Sequence, residues 1–408
     1  MFVDLCAEDA VAGMCGRLLK SMYGNRDAAA NWEDFSMGVA VLVGFTAGVG
    51  NPCILNHEKL KVRMFKHGDD FILSGKRSNV QELTTKLMEH IALTDKGRLG
   101  WGPELGYLAE AKILNRIIRV SRTTDGTPFA EVESDPRHVE IILKQLQLQV
   151  GSKGRNTPGE PDGKGMPDLT LISASESTQY RSLVMRANYL SEDRYDIRFA
   201  CKELARDMQK PTIRSMHRLK NLGRYLLSKP RVVLRMHWQG RQSRIIVHSD
   251  SDWAGCPITR RSTSAGVIMH GEHFIKGYSS TQISPATSSG EAEYNAGVRA
   301  SSAGLGIVAY ASDLGCVKEC HVGLDSSAAL GIMKRTGLGK VRHLALPLLW
   351  LQAAVRNGRI HPFKEPGETN VADAGTKYLA GPRLWELVQK LGYHELTGSS
   401  NLALKAQV

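Results

Sequence analysis

Acidic residues in the C-terminal half of the chain have the types and spacing that a metal-dependent reaction needs. Asp250 and Asp325 each end an apolar, strand-like segment, and Glu291, Glu293 and Asp373 each lie near the start of a helix-like segment. Strand ends and helix starts converge at one edge of an α/β sheet, so these distant carboxylates can meet there. Carboxylates that meet repel one another and raise their own pKa values unless cations neutralise them.

Magnesium suits such a group, because it prefers oxygen ligands and accepts substrate phosphates in its remaining positions. Two such ions about 4 Å apart can activate water and stabilise the leaving oxygen in phosphodiester hydrolysis. Taken singly, each acid has an ordinary explanation. Asp325 can cap a helix, Asp373 can complement a helix dipole, and Glu291 and Glu293 can be solvated. Their joint order is what favours a metal site.

Strands and helices must alternate to position these acids. The sequence pattern predicts strands over 244–250, 265–269 and 274–279, a helix over 291–314, a strand over 321–325, a helix over 326–333, a helix over 342–357, an extended segment over 360–364 and the start of a last helix over 370–377. Ser288 or Ser289 can cap the long helix, and Gly315 can end it.

The chain of 408 residues carries a formal net charge of +12, which favours a polyanionic partner such as nucleic acid. The residues predicted to contact phosphates lie in a helix-like region and are Arg206, Lys210, Arg214, Arg218, Lys220 and Arg224. The first four recur every four residues and would share one helix face, although Pro211 is expected to break that helix. The alternatives are a solvated helix face and a basic enzyme that does not bind nucleic acid.

Composition also bounds the cellular setting. The most apolar stretch, residues 37–50, is too short and glycine-rich to predict a membrane span. Residues 1–10 carry acids where a signal peptide would carry Lys or Arg. Seven scattered cysteines predict reduced thiols. We therefore expect an intracellular protein, cytoplasmic or nuclear, that does not contact membranes.

Five short segments, taken in order, resemble the ribonuclease H domain of Copia-type (Pseudoviridae-like) retrotransposon polyproteins. They are SDSDWAG at 249–255, RRSTS at 260–264, SSGEAEY at 288–294, LDSSAA at 324–329 and NVADAGTK at 370–377. The resemblance implies that Asp250, Glu293, Asp325 and Asp373 are catalytic and hold two Mg²⁺ ions, with Mn²⁺ as a possible substitute. Glu291 stays the alternative to Glu293. Pro285 departs from the family, whose members are apolar there.

The N-terminal region resembles part of a reverse transcriptase of the same family. Apolar segments flank a tight turn that presents Asp69 and Asp70, although such a turn is often only a solvated loop. Further segments with this resemblance are 15–24, 28–32, 180–183, 187–190, 196–200 and 222–226. The resemblance implies that Asp69 and Asp70 hold magnesium in the polymerase palm. An earlier acid and the fingers are expected to be missing, so polymerisation is expected to be lost unless a longer polyprotein supplies them.

These patterns predict an α/β chain. A ribonuclease H-like mixed sheet with flanking helices is expected at the C-terminus, preceded by a partial α+β reverse-transcriptase palm and a helical connection. The expected boundaries are 1–150 for the partial palm, 151–179 for a linker, 180–240 for the basic helical connection, 241–380 for the ribonuclease H-like domain and 381–408 for a C-terminal tail.

The resemblance implies an endoribonuclease that cuts the RNA strand of an RNA–DNA hybrid. Basic residues between 206 and 235 would hold the hybrid backbone by its shape rather than its sequence. His343 and His361 can assist proton transfer, but ordinary hydrogen-bonded roles suit them too. The alternatives are a catalytically inactive nucleic-acid-binding retroelement relic and another nuclease or integrase that prefers duplex DNA.

Overall fold

The computed structural model describes residues 2–4, 6–22, 24–161, 168–339, 343, 346–398 and 402. It divides into two units. Unit 1 contains Met1–Lys96 together with Ala309–Val317, and unit 2 contains Gly97–Val308 together with Lys318–Val408.

Helices and strands follow one another along both units. The described residues form α-helices α1 (Ala28–Leu42), α2 (Arg77–Met88), α3 (Arg137–Gln145), α4 (Ala174–Leu190), α5 (Arg198–Arg206), α6 (Ile213–Ser228), α7 (Ser289–Asp313), α8 (Ser327–Lys334), α9 (Trp350–Arg356) and α10 (Gly381–Lys390). The strands are β1 (Phe2–Val3), β2 (Gly16–Arg17), β3 (Thr46–Ala47), β4 (Ile54–His57), β5 (Val62–His67), β6 (Asp70–Ser74), β7 (Glu110–Ile113), β8 (Arg116–Arg122), β9 (Pro128–Glu133), β10 (Val232–His237), β11 (Arg244–Ser251), β12 (Thr263–His270), β13 (His273–Thr281), β14 (Glu319–Leu324), β15 (His361–Lys364) and β16 (Tyr393–Glu395). None of the described helices combines the length and apolar content that crossing a membrane requires.

Unit 1 is built around an antiparallel sheet in the order β3-β4-β5-β6. Alternate residues of β5 are buried, and they pack with α1 and α2 around Leu55, Met64 and Leu83. The predicted hairpin is confirmed, because β5 pairs with β6 up to His67 opposite Asp70. The tight turn between these strands therefore presents Asp69 to solvent.

Unit 2 contains a mixed five-stranded sheet in the order β13-β12-β11-β14-β15. The first three strands are antiparallel, whereas β14 runs parallel to β11 and β15 runs parallel to β14. The long helix α7 and helix α8 pack against this sheet around Val247, Val322 and Leu324. The strand order, the mixed direction and the flanking helices give the predicted ribonuclease H-like fold.

Helix α7 approaches the sheet closely because three glycines lie seven residues apart on one helix face, a spacing that drifts by only about 20°. A Cβ atom on Gly304 would lie 2.7 Å from both Cys320 Sγ and Val247 Cγ2, and one on Gly297 would lie 2.9 Å from Leu324 Cδ2. On Gly290 it would lie 3.0 Å from the Cβ of Ala328. Gly297 and Gly304 set how closely α7 sits on β11 and β14, and Gly290 sets how closely α7 approaches α8.

A second sheet in unit 2 corrects the predicted helical region. Residues 180–235 were expected to be helical, but α6 ends at Ser228 and Val232–His237 form β10. β10 pairs with β9 and with β16, in the sheet order β16-β10-β9-β8-β7. The helix prediction was wrong there because these apolar residues are held by strands distant in sequence. The segment expected to be a C-terminal tail likewise contains α10 and β16.

Two further element predictions differ from the structure. The helix predicted over 342–357 appears as a 3₁₀ turn, Leu346–Leu349, followed by α9, and residues 342, 344 and 345 lie outside the described residues. The last helix predicted from residue 370 is only a 3₁₀ turn, Val371–Gly375, with Asn370 as its N-cap. Residues 162–167 of the predicted linker also lie outside the described residues.

Pro211 breaks the basic helix, as expected. Arg206 is the last residue of α5, and α6 begins at Ile213 with Thr212 as its N-cap. Lys210 lies in the turn between them, whereas Arg214 and Arg218 lie on α6. The four basic residues therefore do not share one helix face.

A buried ion pair lies in the segment between α4 and α5, close to the residues that precede β10. Arg194 Nη2 lies 2.7 Å from Asp196 Oδ2, and the two side chains are only 1% and 0% exposed. Tyr225 donates its hydroxyl to the same carboxylate at 2.9 Å, and Arg194 donates to the carbonyl of Lys229 at 3.1 Å. Asp196 therefore accepts hydrogen bonds from both Arg194 and Tyr225 in the protein core.

We expect Asp196→Ala to lower the free energy of unfolding by about 3–5 kcal/mol, because it leaves the Arg194 guanidinium buried without its partner. Urea denaturation of the full chain measures this. Glu386→Ala, which removes exposed ion pairs to Arg383 and Lys390 on α10, is the control and should leave the free energy of unfolding almost unchanged. Equal effects of the two variants would contradict this account.

Candidate metal centre

Three predicted carboxylates meet at one edge of the mixed sheet. Asp250 lies near the carboxyl end of β11, Asp325 follows the last residue of β14, and Glu293 lies in the first turns of α7. Each offers an oxygen, and these oxygens lie within 4.8 Å of one another. The convergence follows from the parallel pairing of β11 and β14, whose carboxyl ends point to the same edge.

Asp373 lies next to this group, on the 3₁₀ turn Val371–Gly375. Asn370 anchors the turn, because its side chain donates to the carbonyl of Ser249 at 2.9 Å and accepts from the backbone of Ala372 at 3.0 Å. A hydrogen bond with the Asp373 side chain is one of the causes that raise the pKa of Asp250. The four predicted acids are therefore brought together, although Asp373 is not one of the three within 4.8 Å.

Lys377 places a positive charge between two of the acids. Its Nζ lies 2.8 Å from Asp373 Oδ1 and 3.9 Å from Asp250 Oδ2. Burial alone would lower the pKa of Lys377, but the charges of Asp250 and Asp373 outweigh burial and raise it. Thr376 donates its hydroxyl to Asp250 Oδ2. The sequence analysis assigned no role to either residue, although the four-residue spacing from Asp373 to Lys377 is a signal for an ion pair.

The acids hold protons that exposed carboxylates would lose. Burial raises the pKa of Asp250 to about 7, with Lys377 opposing the shift and Asp373 adding to it. Burial, together with the charges of Asp250 and Asp325, raises the pKa of Glu293 to about 9. Burial and the charge of Asp373 raise the pKa of Asp325. The site is therefore short of positive charge.

The donor set fits a hard divalent cation. All four side chains offer carboxylate oxygens, which Mg²⁺ prefers. Glu293 Oε1 accepts a hydrogen bond from the backbone of Ser251 at 3.2 Å, whereas Glu293 Oε2 is buried with no hydrogen-bond partner among the described residues. A buried carboxylate oxygen without a donor is a free ligand position, because such an atom is otherwise costly to bury.

The structure also places Glu291 and Glu293, the two alternatives that the sequence left open, in different surroundings. Glu291 Oε2 accepts from the backbone and the hydroxyl of Thr287, both at 2.8 Å, and lies 2.9 Å from His343 Nε2. Glu291 therefore holds the start of α7, and Glu293 is the one that joins the group. Asp252, two residues beyond Asp250, accepts a hydrogen bond from the backbone of Thr263 instead.

Asp69 and Asp70 remain apart from any comparable group. Both are exposed at the turn between β5 and β6, where Trp32 donates its indole N–H to the carbonyl of Gly68 at 3.1 Å. Within the described part of the chain, neither Asp69 nor Asp70 belongs to a set of three possible metal ligands.

The predicted basic residues occupy different surroundings. Arg206 pairs with Glu203 at 3.1 Å and contacts Cys256, in the loop between β11 and β12. Lys202, which sequence analysis missed, donates to the hydroxyl of Thr263 at 2.7 Å. Farther along the chain, Lys210 and Lys220 are exposed and Arg214 is half-buried. Arg218 lies 3.8 Å from Asp207, and Arg224 donates to Asn221 at 3.4 Å. The end of α5 therefore lies beside the loop that follows Asp250.

Two curated relatives match nearly the whole chain. The retrovirus-related Pol polyprotein from transposon RE1 of Arabidopsis thaliana is 25% identical over 389 residues, which cover 92% of this chain and 25% of the relative. The corresponding polyprotein from transposon RE2 is 25% identical over 402 residues, which cover 96% of this chain and 26% of the relative. This chain is similar to Copia-type retrotransposon Pol polyproteins. It spans about a quarter of the length of these two relatives.

Other comparisons cover smaller parts of this chain. An uncharacterized mitochondrial protein of Arabidopsis thaliana is 33% identical over 123 residues, which cover 30% of this chain and 50% of that protein. No protein-family model matches the chain. Among solved structures, the N-terminal RNase H domain of a Mycobacterium tuberculosis protein is 19% identical, covering 36% of this chain and 98% of that one with a TM-score of 0.25. LC11-RNase H1 in complex with an RNA/DNA hybrid is 22% identical, covering 33% and 94% with a TM-score of 0.25.

Without divalent ions, we expect Glu293 to destabilise the folded chain increasingly as pH rises. Its pKa is raised in the folded chain, so the folded state binds more protons than the unfolded state above the unfolded pKa. The unfolding free energy therefore falls as pH rises from about 4.5, the ordinary pKa of a glutamate, to about 9, the raised pKa of Glu293. Glu293→Gln should remove the loss, so its stability relative to wild type should increase with pH in urea denaturation with EDTA.

Glu291→Gln is the matched control for this measurement. Burial opposes the shift, but hydrogen bonds with His343 and Thr287 lower the pKa of Glu291. Replacing it should destabilise the chain at neutral pH and not at pH values below its folded pKa, the opposite trend. A Glu293→Gln chain that tracks wild type at every pH would show that Glu293 is not in the buried, repelled state described above.

Proposed function

We propose that unit 2 is a metal-dependent endoribonuclease that cleaves the RNA strand of RNA–DNA hybrids. The observation that carries this proposal is the gathering of Asp250, Glu293 and Asp325 within 4.8 Å at the end of two parallel strands, with Asp373 beside Asp250. The relation to Copia-type Pol polyproteins supports the choice of reaction. The net charge of +12 supports a polyanionic substrate.

The four acids would hold two Mg²⁺ ions, for which Mn²⁺ can substitute, and these ions would activate water and neutralise charge on the departing 3′ oxygen. Asp250 and Glu293 are protonated more than ordinary carboxylates at neutral pH, so they must release protons when a cation arrives. Lys377 must also give up its contact with Asp250 or share it. No protein nucleophile is needed, because the attacking group would be water.

The substrate backbone is proposed to lie along the basic end of α5. Arg206 and Lys202 lie against the loop and strand that follow Asp250, through Cys256 and Thr263. Lys210 and Lys220 are exposed and would add phosphate contacts without reading base sequence. Since double-stranded hybrids of A-like form are recognised by shape and 2′-hydroxyls, this arrangement is compatible with a hybrid.

The second candidate is a catalytically inactive nucleic-acid-binding relic. Lys377 favours it, because an ammonium 2.8 Å from Asp373 already supplies part of the positive charge that the acids require. A polymerase role is not proposed for Asp69 and Asp70 on their own, because neither has a third ligand among the described residues. A longer polyprotein that supplies the remaining polymerase parts stays a prediction.

We expect Asp325→Asn to reduce cleavage of a labelled RNA–DNA hybrid in Mg²⁺ by about 100-fold or more, which is about 2.7 kcal/mol of transition-state stabilisation. Hybrid binding, measured by fluorescence anisotropy, should persist because the fold is unchanged. The control is Asp125→Asn, in the exposed turn between β8 and β9, which should cleave at the wild-type rate. Binding without cleavage by the wild-type chain would favour the relic, and preferential cleavage of duplex DNA would favour another nuclease.

We also expect Lys210→Ala together with Lys220→Ala to weaken hybrid binding in a salt-dependent way. Each lost phosphate contact should lower the slope of log affinity against log salt concentration by about 1. Anisotropy titrations at several salt concentrations measure this slope. Lys86→Ala, an exposed lysine of α2 paired with Glu82, is the control and should leave the slope unchanged. An unchanged slope in the double variant would show that α6 and the turn before it lie outside the interface.

A further inference from the structure

Two histidines and a glutamate form a second cluster of possible ligands in unit 2. Glu319 and His321 lie on β14, and His361 is the first residue of β15. Each offers one ligand atom, and these atoms lie within 4.8 Å of one another. None of the three residues contributes to the carboxylate site described above.

The pairing of the two strands holds the cluster together. β14 and β15 are parallel neighbours, with His321 directly opposite His361. The two imidazole rings are stacked at 4.8 Å between centroids, with 26° between their planes. Glu319 lies two residues before His321, so both side chains leave the same face of β14. Glu319 Oε2 lies 3.0 Å from His321 Nε2.

That face of the strand is the one turned toward solvent at this end. Cys320 and Val322, which alternate with the cluster residues, are buried in the core beneath α7. The side chain of His321 is 19% exposed and that of Glu319 is 56% exposed. Glu319 is therefore exposed and His321 partly exposed, on the face of β14 opposite the core.

We propose that Glu319, His321 and His361 form a binding site for a transition-metal ion of the Zn²⁺ type. Two imidazole nitrogens and one carboxylate oxygen are a ligand set that suits Zn²⁺ and disfavours Mg²⁺. Tetrahedral zinc brings its ligand atoms to about 3.3 Å from one another, so only small rotations of side chains already within 4.8 Å are needed. Three protein ligands leave a fourth position for water or for another ligand.

The site is separate from the carboxylate centre. Glu319 is paired with Arg244 at the start of β11, whereas Asp250 lies six residues further along that strand. At about 3.3 Å per residue, the two sites are about 20 Å apart. Arg244 Nε lies 3.8 Å from Glu319 Oε2 and competes with the metal, but both side chains are exposed and such pairs are weak.

A metal at this position would fasten the edge strand β15 to β14 in the mixed sheet. β15 is the last strand of the sheet order and has four residues, His361–Lys364. One ion shared by β14 and β15 would add a cross-link where the ladder is shortest. Binding to the folded chain alone should raise its thermal midpoint.

The test is Zn²⁺ titration of the full chain by calorimetry, in excess Mg²⁺ so that hard oxygen ligands are occupied. We expect one Zn²⁺ per chain and a Zn²⁺-dependent rise in the thermal midpoint. Since loss of even a partner of a metal ligand costs about 10- to 100-fold in affinity, His321→Gln and His361→Gln should each lower Zn²⁺ affinity at least that much. His90→Gln, at an exposed position beyond α2, is the matched control and should bind as wild type does.

His361→Cys keeps the proposal testable if a glutamine variant folds poorly. A thiolate at this position should retain binding and give a thiolate-to-cobalt charge-transfer absorption when Co²⁺ replaces Zn²⁺. Wild-type binding that is unaffected by both glutamine variants would overturn the proposal, as would absence of Zn²⁺ binding or absence of that absorption in the cysteine variant.

Discussion

Repulsion among buried carboxylates is the constraint on which the organisation of unit 2 depends. Asp250, Glu293 and Asp325 come from two strands and a helix that are far apart in sequence, and their ligand oxygens lie within 4.8 Å. Such a group is stable only if protons, an ammonium group or metal ions reduce its charge. The raised pKa values of Asp250 and Glu293 and the position of Lys377 show that protons and an ammonium group do so in the folded chain. Exchange of these for a divalent cation links folding, pH and the proposed reaction.

Hydrogen bonds outside the carboxylate group hold the segments that carry two of the acids. Asn370 ties the turn of Asp373 to the strand of Asp250, and Glu291 holds the start of the helix that carries Glu293. The unpartnered Glu293 Oε2 is the result of this arrangement, since its neighbours satisfy one another. Backbone and capping interactions therefore contribute to the placement of the acids, and such placement is what the proposed electrostatic catalysis would require.

Much of the mixed sheet and its acids could be predicted from sequence, because alternating apolar residues and strand-end acids are local signals. The choice between Glu291 and Glu293 could not be made from residues alone. The two lie two positions apart on α7, so only one can face the sheet, and the packing of the helix decides which. Val232–His237 were missed as a strand because their partners are residues 128–133 and 393–395, far away in the chain. The role of Lys377 also depends on a tertiary contact, with Asp250, that no local pattern contains.

The seven-residue series Gly290, Gly297 and Gly304 has an evolutionary consequence. These positions limit how closely α7 can approach its neighbours, because methyl groups added there would lie 3.0 Å or less from Ala328, Leu324, Cys320 and Val247. A copy of this chain that accumulates substitutions without selection can thus lose the arrangement of its carboxylates through a single alanine at a position with no chemistry of its own. All four acids would still be present in such a copy. The presence of all four acids is therefore a poor indicator that such a copy keeps the carboxylate site, and the three glycines give information that the acids do not.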